Sequence, residues 1–394
     1  MNKTCSGIDV ATGEAITVEF NERIVAVRPC AVVRDDLPFI APGFVDIQVN
    51  GFAGIDFNNP AATHTEIATA IEAIVATGVT RCLPTVITGS PDDMVACLAN
   101  LRAAQRGLPA IAGVHVEGPH IGPEDGPRGA HPARWVRPPD LAEFQCWQEA
   151  TEGNVRLVTL SPHWPDAAAY IRAITSAGTT ASIGHTGATA DQIAAAVDAG
   201  ATLSTHLGNG AHAVMSRHPN YIWDQLAEDR LSASFIVDGI HLGQAYLRTA
   251  LRAKTVARTI LVTDASSPAG AAPGRYRLGE QDADLTVDGR VVLAGTDKLA
   301  GSALRMNEGI ANVMRLGGLS LKDAVRSATT NPARIIHLEG RENGLEPGET
   351  ADIVTFRLKE RSLQIESVYV AQASWATLRR PGGGWPEPLN LRGL

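Results

Sequence analysis

The sequence predicts an α/β protein: a (β/α)8 TIM-like barrel carrying a small β-sandwich domain built from both chain ends. Three observations carry this. Eight short apolar runs, many rich in β-branched residues, recur between residues 44 and 263 of the 394-residue chain. Ala-rich helical stretches separate most of them, and the two ends read as strands and turns.

At the N-terminal end, GEAITVEF and RIVAVRP are strand-like runs within residues 1–41. At the C-terminal end, ADIVTFRL and SLQIESVYVAQ play the same part within residues 345–394. Neither end is large enough to stand alone, so the two are expected to pair into one domain, leaving residues 42–344 to the barrel. The barrel runs are 44–49 (FVDIQV), 79–87, 110–116, 155–160, 180–184, 201–205, 232–237 and 258–263. Helical stretches at 64–77, 166–177 and 190–199 lie between them. A doubly wound open sheet is the alternative; the strand count and the lack of G-x-G-x-x-G after the first strand disfavour it. On a regular first strand, Asp46, Gln48 and Asn50 share one face, with Val45, Ile47 and Val49 on the other.

Composition narrows the class. At 44% hydrophobic and 19% charged residues, the chain can bury a core. A formal net charge of −8 argues against non-specific nucleic-acid binding. None of the five lysines lies between residues 4 and 253, which excludes lysine-based chemistry there. The five cysteines are scattered without a C-x-x-C, pointing to a reduced, cytoplasmic setting. The N-terminus has no signal-peptide pattern and no apolar run reaches 18 residues, so no membrane partner is expected.

Chemistry in such a barrel sits at the C-terminal strand ends. Nine of the eleven histidines lie between residues 115 and 241. Glu117, His185 and His206 end the third, fifth and sixth runs, and could hold one divalent ion with a coordination position left open, the pattern of a catalytic site. Asp264, at the eighth strand end, is either a helix N-cap or a general base; beside such a trio it is read as the base.

The segments PGFVDIQVNG, HVEGPH, RGAH, IGHTGAT, THLGNG, VDGIHL, VTDA, LAGSAL and NPARIIHL, with PGETADIV beyond, run in order along nearly the whole chain. Together they resemble the amidohydrolase superfamily, and within it the N-acetylglucosamine-6-phosphate deacetylase family. The ordered H-x-E-G-P, GHTGAT and THLGN segments are the specific ones; NPA…PG…AD is general to the superfamily. The resemblance implies hydrolysis of the acetamido group of N-acetylglucosamine 6-phosphate to acetate and glucosamine 6-phosphate, assisted by one divalent metal per subunit: zinc, with iron or manganese as alternatives. It implies Glu117, His185 and His206 as metal ligands, Asp264 as acid–base and His131 as the donor to the carbonyl oxygen. Asn209, Gly210, Arg217 and His241 are implied to hold the sugar phosphate, with Arg217 reaching a neighbouring subunit of a homodimer. Where many relatives have His-x-His, this chain has Gln48-x-Asn50; neutral amides are poor zinc ligands, so the second metal site is expected to be vacant. His120, His163 and His212 also depart from the family pattern at strand ends and put the substrate, more than the reaction, in question. A different N-acetylated sugar or amide is one alternative; an inactive binding relative is another.

Overall fold

The structure, a computed structural model, describes residues 2–30, 36–359, 361–373 and 378–379. Eight parallel strands run in sequence order around one sheet: β1 (Phe44–Val49), β2 (Val79–Ile87), β3 (Val114–Glu117), β4 (Val155–Leu160), β5 (Thr180–Ile183), β6 (Leu203–Ser204), β7 (Ser232–Ile236) and β8 (Thr259–Val262). The expected third run begins four residues late, because Gly113 (φ 153°) interrupts it before Val114. The barrel closes just beyond β8: Asp264 N–H donates to the Gln48 carbonyl at 3.0 Å and Asn50 N–H to the Ala265 carbonyl at 2.6 Å.

A helix follows each strand: α1 (His64–Val75), α2 (Pro91–Gln105), α3 (Leu141–Ala150), α4 (Ala167–Ser176), α5 (Ala190–Asp198), α6 (Tyr221–Ala227), α7 (Gln244–Lys254) and, after a long insertion, α8 (Met306–Asn312). Local chemistry sets their starts. Thr63 with Glu66 and Thr189 with Gln192 form capping boxes on α1 and α5, while Ser90 caps α2 ahead of Pro91.

The lumen is layered. Val45, Ile47, Leu83, Leu157, Leu203, Ile236, Ile260 and Val262 form one buried cluster; drawn from six strands, these side chains can meet only inside the barrel. Ala333 and Ile336, from the segment around helix Thr330–Ile335, join the same cluster. A hydroxyl network also lies within the barrel: His115 Nε2 pairs with Thr159 Oγ1 at 2.8 Å, Thr159 with Thr205 at 2.7 Å, and Thr205 with Ser182 at 2.6 Å.

The regular alternation expected for the first strand does not hold. Val45 and Ile47 lie in the lumen, and Asp46 points away from it, accepting from Thr263 Oγ1 at 2.5 Å. Pairing between β1 and β2 shifts register between Asp46 and Val49, and this irregularity turns Gln48 and Asn50 inward. Asp46 therefore does not share their face.

The chain ends join in a separate seven-stranded sheet, as the strand-like ends predict. Phe39–Pro42 runs antiparallel to Ile353–Leu358 and parallel to Lys3–Asp9, stitching the N-terminal strands to the C-terminal ones. The insertion between β8 and α8 holds a three-stranded antiparallel sheet (Gly274–Leu278, Gln281–Leu285, Val291–Leu293) that the reading of the sequence overlooked. No helix among the described residues is long and apolar enough to cross a membrane.

Candidate active site

At the C-terminal mouth of the barrel lies a cavity of about 130 Å³. Glu117, His131, His185, His206, Asn209, Gly210, His241, Asp264 and Asn50 all line it. Ligand atoms of Glu117, His185 and His206, all buried, lie within 4.8 Å of one another. His206 Nε2 is 2.9 Å and His185 Nε2 3.3 Å from Glu117 Oε1, with 3.1 Å between the two nitrogens.

Backbone conformation helps deliver these groups. His185 (φ 49°), His206 (φ 30°) and Asp264 (φ 48°) all occupy the left-handed region, which non-glycine residues adopt at a cost. Each lies just past its strand, where the turn in the chain swings the side chain over the lumen.

The donor set fits a divalent ion. His185 Nδ1–H donates to the Pro127 carbonyl at 2.7 Å, which fixes the tautomer and leaves an Nε2 lone pair facing the cluster. One carboxylate oxygen and two imidazole nitrogens then converge, a borderline-hard set suited to zinc, iron or manganese. The charges of the cluster are coupled. Burial alone raises the Glu117 carboxyl, but hydrogen bonds and charges from His185 and His206 outweigh it and hold Glu117 well below the usual range. Burial works to lower His206, yet Glu117 and the Asp264 charge carry it above its ordinary value.

Asp264 caps no helix. Gln48 Nε2 donates to its Oδ1 at 3.1 Å and Asn50 Nδ2 to the same atom at 2.7 Å. Gln48 Nε2 also donates to Glu117 Oε1 at 2.8 Å. Burial and the Glu117 charge push Asp264 up to about 6. The Asn50 Oδ1 atom is buried with no partner among the described residues.

His131, predicted from RGAH alone, lies 4.0 Å from Glu117 Oε2 through Nε2, its ring edge-on to His185. Burial holds it neutral, with its pKa down at about 3. His241 Nδ1–H donates to Asp238 Oδ2 at 2.6 Å, and Asp238 also accepts the backbone N–H groups of Ile240 and His241, so the VDGIHL turn is organised around one carboxylate.

Arg217 stands apart: it is exposed in the 212–220 segment and does not line this cavity. Nor do His120, His163 and His212. His120 is sealed against Trp147 and Tyr170, His163 pairs with Ser161 Oγ at 2.6 Å, and His212 meets the Tyr221 hydroxyl at 3.0 Å. Residues missed from sequence include Ile87, Leu278 and Leu299, which close one wall, and Thr88, whose Oγ1 lies 2.8 Å from His131 Nδ1. The hairpin bearing Leu278 was readable from its alternation and from Gly279-Glu280 and Asp288-Gly289 turns.

An eight-stranded barrel with a carboxylate–histidine cluster and a buried acid–base at its C-terminal mouth defines a metal-assisted hydrolase. A family model described as "Amidohydrolase family" matches residues 39–382. The N-acetylglucosamine-6-phosphate deacetylase of Danio rerio is 35% identical over 85% of this chain and 84% of its own. The N-acetylgalactosamine-6-phosphate deacetylase of Escherichia coli O157:H7 is 30% identical over 87% and 89%. The solved structure of a Mycobacterium smegmatis N-acetyl-D-glucosamine-6-phosphate deacetylase, an aspartate-to-alanine mutant in complex with N-acetyl-D-glucosamine-6-phosphate, superposes with a TM-score of 0.86 at 33% identity, covering 94% of this chain and 98% of that one. The chain belongs to the amidohydrolase family, in the branch of the N-acetylglucosamine-6-phosphate deacetylases, and is a metal-dependent hydrolase of amide C–N bonds.

Proposed function

We propose that this enzyme removes the acetyl group of N-acetylglucosamine 6-phosphate, giving acetate and glucosamine 6-phosphate. The observation that carries the reading is the convergence of Glu117, His185, His206 and Asp264 in one cavity of a chain whose relatives bear that activity in their names. Glu117, His185 and His206 hold one ion per subunit, zinc in the first instance with iron or manganese as alternatives. When bound, the ion polarises the acetyl carbonyl and makes water acidic enough to attack at neutral pH.

This chain's own groups do the rest. Two amide donors engage Asp264 Oδ1, leaving Oδ2 to take a proton from the attacking water. Asp264 then passes that proton to the amide nitrogen, so that the C–N bond breaks with a neutral amine departing. His131 donates to the carbonyl oxygen as negative charge grows there. Asn209, the Gly210 backbone and His241 hold the sugar, and Arg217, which does not line its own cavity, serves the phosphate of a neighbouring subunit's substrate in a homodimer. Gln48 and Asn50 fill the place of a second metal as neutral donors. The domain boundaries are taken as 1–41 with 345–394 and 42–344, and the setting as cytoplasmic, on the cysteine pattern.

The test is acetate release from N-acetylglucosamine 6-phosphate by purified protein. The galactosamine-named relative favours one second reading, the epimeric sugar phosphate. A panel of acetylated hexosamines, phosphorylated and not, separates the two. Absence of bound metal together with no activity after adding zinc or iron would point instead to a binding protein.

A further inference from the structure

Thr88 lies at the C-terminal end of β2, 3% exposed, in a seat built for its hydroxyl. A Cβ at Gly118 (φ 78°) would fall 2.3 Å from Thr88 Oγ1, so the neighbouring strand end leaves room for that group only because it is glycine. Thr88 Oγ1 lies 2.8 Å from His131 Nδ1 and makes no other hydrogen bond among the described residues.

A hydroxyl either donates to a ring nitrogen or accepts from one. Were Nδ1–H to donate to Thr88, the Thr88 proton would need an acceptor of its own, and no protein group among the described residues offers one. On the other side of the ring, His131 Nε2 faces the cavity, 4.0 Å from Glu117 Oε2.

We propose that Thr88 is a positioning residue that donates to His131 Nδ1 and so fixes the neutral ring as its Nε2–H tautomer, with the proton directed into the cavity. This rests on reading His131 as the donor to the substrate carbonyl and says how it becomes one: a neutral imidazole can stabilise an oxyanion only if the nitrogen facing it carries the hydrogen. Thr88 touches no substrate and acts through His131.

The test is long-range 1H–15N correlation spectroscopy of zinc-loaded, 15N-histidine-labelled enzyme, with His131 identified by its absence in His131→Gln. The wild type is expected to show Nε2 protonated and Nδ1 bare. Thr88→Val, which removes the donor and keeps the shape, is expected to mix the tautomers and lower kcat about tenfold with KM changed less than about twofold. Thr88→Ser keeps the hydroxyl and is expected to recover most of the loss. A wild-type ring protonated on Nδ1 overturns the proposal, and so does a Thr88→Val enzyme with unchanged tautomer and kcat. Full activity in His131→Gln would sink the role of His131 itself, whereas an Nδ1–H ring in an enzyme that needs His131 would sink the part given to Thr88 alone.

Discussion

Gln48 Nε2 donates to Asp264 Oδ1 at 3.1 Å across the seam where the first and last barrel strands meet. The same nitrogen donates to Glu117 Oε1 at 2.8 Å, so one neutral amide ties the metal-binding carboxylate to the acid–base. Two carboxylates this close disfavour joint ionisation, and the Gln48 amide offsets part of that repulsion without adding charge.

The first prediction follows from that bridge. Gln48→Leu keeps the bulk and removes both donations. A hydrogen bond to a charged group contributes about 1.5–3 kcal/mol, so losing the one to Asp264, the proton carrier, should lower kcat/KM roughly tenfold to a hundredfold. No ligand atom is lost, so elemental analysis should still find one metal equivalent in the variant, as in the wild type. Two equivalents in the wild type would show that the Gln48–Asn50 site is not vacant.

Asp264→Asn should lower kcat by about 10²–10⁴, the usual contribution of a positioned proton carrier. The fold should not suffer. Asp264 is held near 6 because its charged form is disfavoured by burial and by Glu117, so the isosteric neutral amide relieves a cost. Thermal melts of the metal-free protein should give an unchanged or higher Tm. Activity surviving this substitution would remove Asp264 from the mechanism.

Much of this site was legible because barrel chemistry gathers at strand ends, where Glu117, His185, His206 and Asp264 stand out as polar residues closing apolar runs. The eight-fold strand–helix period was equally plain. Other features depend on geometry that residue types do not encode. Strand alternation placed Asp46 beside Gln48, but the register shift after Asp46 sends the two to opposite faces. Thr88 is one hydroxyl among many in sequence, and only the fold brings it to His131. His120, His163 and His212 looked able to reshape the pocket, since a strand end does not reveal whether a side chain turns inward or packs against helices.

Asp46 supplies a pH dependence of stability. Burial, partly offset by hydrogen bonds from Thr263 and the Gln48 N–H, pushes its carboxyl up to about 7, against 3.8 for an unburied group. Between these values the folded state holds a proton that the unfolded state has released. Stability from this group therefore falls as pH rises from about 4 to about 7, by up to a few kcal/mol. Urea unfolding of wild type and Asp46→Asn across that range should show a shallower pH slope in the variant. Identical slopes would mean that Asp46 titrates normally.

Asp352 joins the end sheet to the barrel. Its carboxylate accepts from Arg81 of β2 (Nε at 2.6 Å, Nη2 at 3.1 Å), from Arg341, and from the Ala371 N–H at 2.8 Å. Arg341 in turn donates to the Gly43 carbonyl at 2.5 Å, at the entry to β1. Asp352 and Arg341 are buried, so their charges have left water and rely on each other. Breaking such a pair costs about 3–5 kcal/mol, because the surviving charge is left stranded. Asp352→Asn strands the Arg341 guanidinium and leaves Arg81 short of its partner, and should lower the urea midpoint accordingly. Glu366→Gln breaks the half-exposed pair with Arg357 on the same sheet; water can reach and replace that partner, and the expected cost is under about 1 kcal/mol. Equal losses from the two substitutions would mean that burial does not set the weight of the Asp352 clamp.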